Sequence, residues 1–150
     1  MRIFTVMSTA ALLAAPAAYA GDPVAGERDW RQCRACHEIV ADDGTAIQRG
    51  GRQGPNLYGI VGRPVASVDG FRYSSGLAAV GEAEVVWDEE NLVAYLTNPT
   101  DFIRGVTGNN RDRGSMAFQL RRGQEDMVAY LISVGPELPE EDEEEEAAAD

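Results

Sequence analysis

Lysine is missing altogether from the 150 residues, histidine occurs once and cysteine twice. Each shortage excludes something. With one histidine, two imidazoles cannot meet on one metal within one chain. With only three soft ligands, a four-ligand structural zinc site cannot be completed from the usual residues. Without lysine, every basic side chain is an arginine, whose planar fork suits carboxylates. Nothing after residue 20 is built for insertion in lipid.

The two ends differ from the middle. Residues 1–20 read as a short positive start at Arg2, an apolar stretch through Leu12 and Leu13, and the small-x-small series Ala18-Tyr19-Ala20. This is the pattern of an export leader cleaved after Ala20, which directs the chain to the periplasm of a bacterium. Residues 136–150 hold nine acids and no base, a composition expected to stay disordered. Residues 21–135 are left as a single domain with a core of modest size. The net charge of −12 becomes −13 without Arg2, and the acidic tail supplies most of it. The domain itself sets twelve arginines against sixteen acids. Such a balance speaks against a nucleic-acid partner.

Both cysteines and the histidine lie in one string, Cys33-Arg34-Ala35-Cys36-His37. On a helical turn, residues three and four after Cys33 return to its face, so two thiols and an imidazole project together. That spacing is the signal for covalent attachment of a c-type haem: the thiols add to the two vinyl groups and the imidazole meets the iron. Other readings compete. A zinc site would need ligands the chain lacks, and neighbouring Cys36 and His37 would chelate poorly. A thioredoxin-like redox pair wants a strand before the motif, and none is evident. A plain disulfide remains possible in an exported chain.

If a haem is bound, a methionine is the natural sixth ligand. Met127 falls on an apolar helical stripe with Tyr130, Leu131 and Val134, the pattern of a core residue. Met116 follows a polar, glycine-rich stretch and is the better placed of the two. A thioether opposite an imidazole favours reduced iron and raises the potential. With both axial positions filled, no place is left for substrate, which suits an electron carrier and argues against an enzyme. An iron open at its sixth position, in a haem enzyme or gas-binding protein, is the alternative should Met116 not ligate.

From Asp22 to Val134 further strings follow in order: Gly54-Pro55-Asn56-Leu57-Tyr58-Gly59, Phe71-Arg72-Tyr73, Trp87-Asp88-Glu89-Glu90, Tyr95-Leu96-Thr97-Asn98-Pro99, Met116-Ala117-Phe118 and Met127-Val128-Ala129-Tyr130-Leu131. In this series the chain resembles the class I cytochromes c, most closely the bacterial cytochrome c2 type. The resemblance implies an all-α fold of three main helices with long loops wrapped around one covalent haem c. It implies attachment at Cys33 and Cys36, with His37 and Met116 as axial ligands. It also implies that the Pro55 carbonyl accepts a hydrogen bond from His37, that Arg63, Tyr73 and Trp87 satisfy the haem propionates, and that Tyr95 lies near the Met116 sulfur. Two departures from the mitochondrial pattern, Gly114 in place of a threonine and Leu77 in place of an asparagine, predict fewer polar contacts on the methionine side.

Helices are expected near Ala25–Cys36, Ser75–Val80, Asp88–Asn98 and Gln124–Val134, with Gly26 letting the first cross the last beside Tyr130. Longer loops are expected at Ala41–Gln53 and Arg104–Ser115. The implied partners are membrane redox complexes, such as a cytochrome bc1-type donor and a reaction-centre or oxidase acceptor. A monomer would meet them through a face drawn from Arg31, Arg34, Arg49, Arg52, Arg113, Arg121 and Arg122.

Overall fold

The computed structural model describes residues 21–138; the leader expected over 1–20 and the acidic residues 139–150 lie outside the described residues. Five helices dominate: α1 (Pro23–Asp29), α2 (Ser75–Glu82), α3 (Glu89–Thr97), α4 (Pro99–Thr107) and α5 (Gln124–Val134). Two short strands, β1 (Ile39–Val40) and β2 (Ala46–Gln48), pair antiparallel within the stretch read as loop.

The local chemistry sets these boundaries. Asp22 caps α1 by accepting from the Val24 amide at 2.9 Å, and Pro23 opens the helix where its missing N–H costs nothing. The first helix is shorter than the expected Ala25–Cys36: it ends at Asp29, and a single 3₁₀ turn, Trp30–Gln32, leads into the motif. Asp88, where this helix is expected to start, caps α3 through the Asn91 amide at 2.7 Å.

Helix α4 went unread because Asn98-Pro99 looks like a stop signal. Asn98 ends α3, but its side chain also accepts from the Asp101 amide and starts a new helix with Pro99 at its first position. The expected Arg104–Ser115 loop therefore begins only at Gly108, which closes α4 with φ of 66°.

Helices α1 and α5 pack against each other, α5 also against α3, and α4 against both α2 and α3. The crossing of α1 and α5 depends on Gly26. A Cβ there would lie 2.7 Å from that of Tyr130 and overlap the Asp126 carbonyl, so the backbones approach as only glycine permits. Trp30, Ile39, Val80, Leu92, Ile103, Met127, Val128 and Leu131 form the centre of the core. Met127 is 1% exposed, in keeping with its reading as a core residue.

Candidate functional site

An open-sided cavity of about 450 Å³ runs between the motif, the 54–73 loops, α3 and the 115–118 segment. Cys33, Cys36, His37, Pro55, Arg63, Tyr73, Trp87, Tyr95 and Met116 all line it, so the structure brings together every site residue expected from the sequence. Leu57, Ile60, Leu77, Leu92, Leu96 and Leu131 supply much of the rest of the wall. Met127 takes no part.

The motif is a helical turn. The Cys36 and His37 amides both donate to the Cys33 carbonyl, at 3.1 and 3.0 Å, which holds the three side chains on one side. Cys33 and Cys36 are not joined in a disulfide. Burial, with Asp29 and Cys36 adding, pushes Cys33 up to about 11. A dithiol redox catalyst needs the opposite, an acidic thiol that ionises readily. Among the described residues no three His, Cys, Asp or Glu side chains gather as a metal cluster.

His37 is oriented by its backing. The Pro55 carbonyl lies 2.9 Å from Nδ1, and a carbonyl can only accept, so Nδ1 carries the proton. Nε2 then holds the lone pair that a metal requires. Burial lowers the imidazole's pKa, against the opposing pull of Pro55, which keeps the ring neutral and able to ligate. Gly54 fits against the ring face, where a Cβ would lie 2.6 Å from Nε2. The sequence reading did not single out Gly54. Its signal was a glycine beside the proline that backs the histidine.

Arg63 and Trp87 meet through the backbone. The Gly62 amide donates to the Trp87 carbonyl and the Trp87 amide to the Arg63 carbonyl, both at 2.9 Å. Arg63 gives one hydrogen bond to the Asn56 carbonyl at 3.1 Å and another to the Tyr58 carbonyl. That leaves part of its five-donor fork free. The Tyr73 hydroxyl accepts from the Val68 amide at 3.2 Å and keeps its own proton to give. Burial raises Tyr73's pKa and also lowers that of Arg63.

Trp87 and Tyr95 meet edge to face at 4.9 Å, and Phe102 of α4 stacks on Trp87 at 5.6 Å. Phe102 escaped the sequence reading together with its helix. Burial pushes the Tyr95 phenol up to about 12. Its hydroxyl stands 3.6 Å from where a Cβ would extend from Gly114, so the missing threonine leaves room for the phenol just before Met116.

These features fit a covalent haem: a largely apolar slot, two thiols and an oriented imidazole on one turn, a thioether on another wall, and unspent donors for carboxylates. The volume falls within the roughly 300–1,000 Å³ typical of cofactor sites. Of the seven arginines considered, Arg31, Arg121 and Arg122 line one surface groove, which shares Gln32 and Phe118 with the cavity wall. Arg52 instead pairs with Glu38 at 3.0 Å.

No protein-family model matches the chain. It is 45% identical to cytochrome c-551 of Roseobacter denitrificans, over 89% of this chain and 95% of that one. It is 42% identical to cytochrome c-550 of Paracoccus versutus, over 99% of both. The crystal structure of cytochrome c2 from Paracoccus denitrificans superposes with a TM-score of 0.76 at 41% identity, covering 77% of this chain and 98% of that one. The chain therefore belongs to the class I cytochromes c of the bacterial c2 type, carries one covalently bound haem c, and is a single-haem electron carrier rather than an enzyme.

Proposed function

We propose that Cys33 and Cys36 hold the haem through thioether bonds, that His37 and Met116 are its axial ligands, and that the mature protein shuttles electrons in the periplasm after cleavage behind Ala20. The observation that carries this reading is the shared cavity, into which both thiols, an imidazole protonated at Nδ1 and a single methionine converge. The bound haem supplies a one-electron couple. The chain's own residues set its environment. His37, backed by Pro55, offers Nε2 as a strong donor; Met116 offers a soft one that favours the reduced state. Arg63, Tyr73 and Trp87, which line the same cavity, would satisfy the propionates, whose charges could not otherwise be buried. Apolar walls disfavour the extra positive charge of the oxidised site.

Donor and acceptor are proposed to be a cytochrome bc1-type complex and a reaction centre or oxidase. The Arg31, Arg121 and Arg122 groove supports docking beside Phe118, which lines both the groove and the cavity. Mass spectrometry of the periplasmic protein tests the core of this reading. It should give one haem added to a chain that starts at Gly21, with no free thiol. A reduced spectrum unaffected by carbon monoxide is expected as well. A carbon monoxide-sensitive spectrum would turn the reading to an iron open at its sixth position.

A further inference from the structure

The Pro55 carbonyl can orient His37 only if something holds Pro55. Proline has no N–H with which to anchor itself, and the loop from Gly54 to Tyr58 is neither helix nor strand. The side chain of the next residue does the holding. Asn56 Oδ1 accepts from the Val40 amide at 3.0 Å, while its Nδ2 donates to the Val40 carbonyl at 2.7 Å. One carboxamide thus reproduces the paired bonds a neighbouring strand would make on the outer edge of β1. The same Oδ1 accepts from the Tyr58 amide at 3.1 Å, which folds the loop on itself. The Asn56 main-chain carbonyl accepts from Arg63 at 3.1 Å. Backbone bonds from Gly54 to the Cys36 carbonyl and from Leu57 to the Glu38 carbonyl, at 2.8 and 3.1 Å, brace either side.

We propose that Asn56 is the positioning residue for the histidine ligand: by clamping the loop to Val40 it fixes the distance between the Pro55 carbonyl and His37 Nδ1, and so sets how strongly the imidazole donates to iron. The chemistry gives the direction. A firmly held Nδ1–H···O bond lends the ring imidazolate character, and that favours ferric iron. Loosening the clamp weakens the donation and raises the potential. Through its main-chain carbonyl, which accepts from Arg63, the same residue also links the imidazole side to the propionate side, a link that the side-chain variants leave in place.

The inference rests on His37 being the ligand, and the two can fail separately. Histidine ligation is read in the unsubstituted haem-loaded protein, from its low-spin spectrum and the NMR signal of the ring N–H. The role of Asn56 appears only in variants. In Asn56→Ala, exchange of the His37 Nδ1 proton should become about tenfold faster, as expected when one hydrogen bond loses its support. The reduction potential should rise. Asn91→Ala is the control. It removes the side-chain bonds that Asn91 makes to the Val86 carbonyl and Asp88, far along the chain from the imidazole, and should lower stability without moving either signal. If Asn56→Ala does not load haem, the uncharged Asn56→Ser can keep an accepting contact to the Tyr58 amide two residues on while losing the clamp on Val40, and shifts in the same directions are expected. Exchange and potential matching the unsubstituted protein, in whichever variant loads, would reduce Asn56 to a structural residue and overturn the proposal.

Discussion

The two walls that carry the axial ligands are built by different means. On the histidine side, the 51–58 segment is stitched to the motif and β1 by backbone bonds from Gly51, Gly54 and Leu57 and by the Asn56 side chain, with the Pro55–His37 bond among them. On the methionine side, the chain is fastened at both ends, by Arg104 to the Asp112 carbonyl at 3.2 Å and by the Leu120 amide to the Leu96 carbonyl at 2.8 Å. Between them, among the described residues, Arg113 to Gln119 make no hydrogen bond of their own. Met116 is held by packing alone. The imidazole is therefore delivered by a rigid mount and the thioether by a strap, and the strap is where ligation should yield first.

The largest expected effect tests that difference directly. Met116→Ala should open the sixth position, lower the potential and admit carbon monoxide. The chain has no second histidine and no lysine to take the methionine's place. Met127→Ala should leave spectrum and potential unchanged and instead cost about 2–5 kcal/mol of stability, as a buried large-to-small change does. Carbon monoxide binding by the second variant and not the first would exchange the roles of the two methionines.

A matched pair of glycines sharpens the comparison. Gly54→Ala forces a methyl group into the face of His37 and should cost about 1–3 kcal/mol, as overpacking does, with a shifted haem spectrum. At Gly114 the added carbon meets the end of Ile103 at 3.1 Å, a side-chain tip. There the change should stay within about 1 kcal/mol. Denaturant titration with parallel visible spectra reads both. Equal costs would mean the two walls are equally stiff.

Much of this was legible in the sequence, and each failure has its own physical cause. The attachment turn, Met116 against Met127, and the crossing at Gly26 all rest on local spacing or on a single period, which sequence expresses directly. Helix α4 was lost because Asn98-Pro99 ends one helix and begins another, and the dipeptide signals both equally. With α4 went Phe102. The β1–β2 hairpin was lost because its strands are two and three residues long, too short to show alternation. Asn56 was quoted as part of a string but given no role, since its bonds reach sixteen residues back to Val40 and no local rule foretells them. The weakness of the methionine wall, by contrast, was anticipated from Gly114 and Leu77, because both are apolar where a polar contact was expected.

A smaller effect concerns docking on the methionine side. Reversing the charge of Arg121 and Arg122 together should slow second-order electron transfer with an acidic partner about tenfold at low salt, with no shift in potential. Added salt should erase the difference, since the Debye length falls to about 10 Å at 0.1 M. Stopped-flow rates across a salt series decide it. Rates matching the unsubstituted protein at low ionic strength would place docking elsewhere on the surface.

The smallest effect is expected from the acidic end of the chain. Pro136 packs at Gly59 and Leu138 approaches Gly62, so the last described residues lean on the histidine-side loop, and the informative truncation is after Leu138. Twelve residues follow it, eight of them acidic, and fully extended they could span about 40 Å. The arginine groove adjoins Gly123, at the start of α5, while Leu138 follows its end. The eleven-residue helix between them is about 16 Å long. Acids that reached the groove would compete there with a partner's carboxylates. Each contact would be worth only about 0–1 kcal/mol in water. Truncation should leave spectrum, potential and stability unchanged. At physiological salt it should change the electron-transfer rate less than about twofold, because exposed charges are then largely screened. A large gain in rate confined to low ionic strength would mean that the tail crosses from the rigid wall to cover the groove beside the strap.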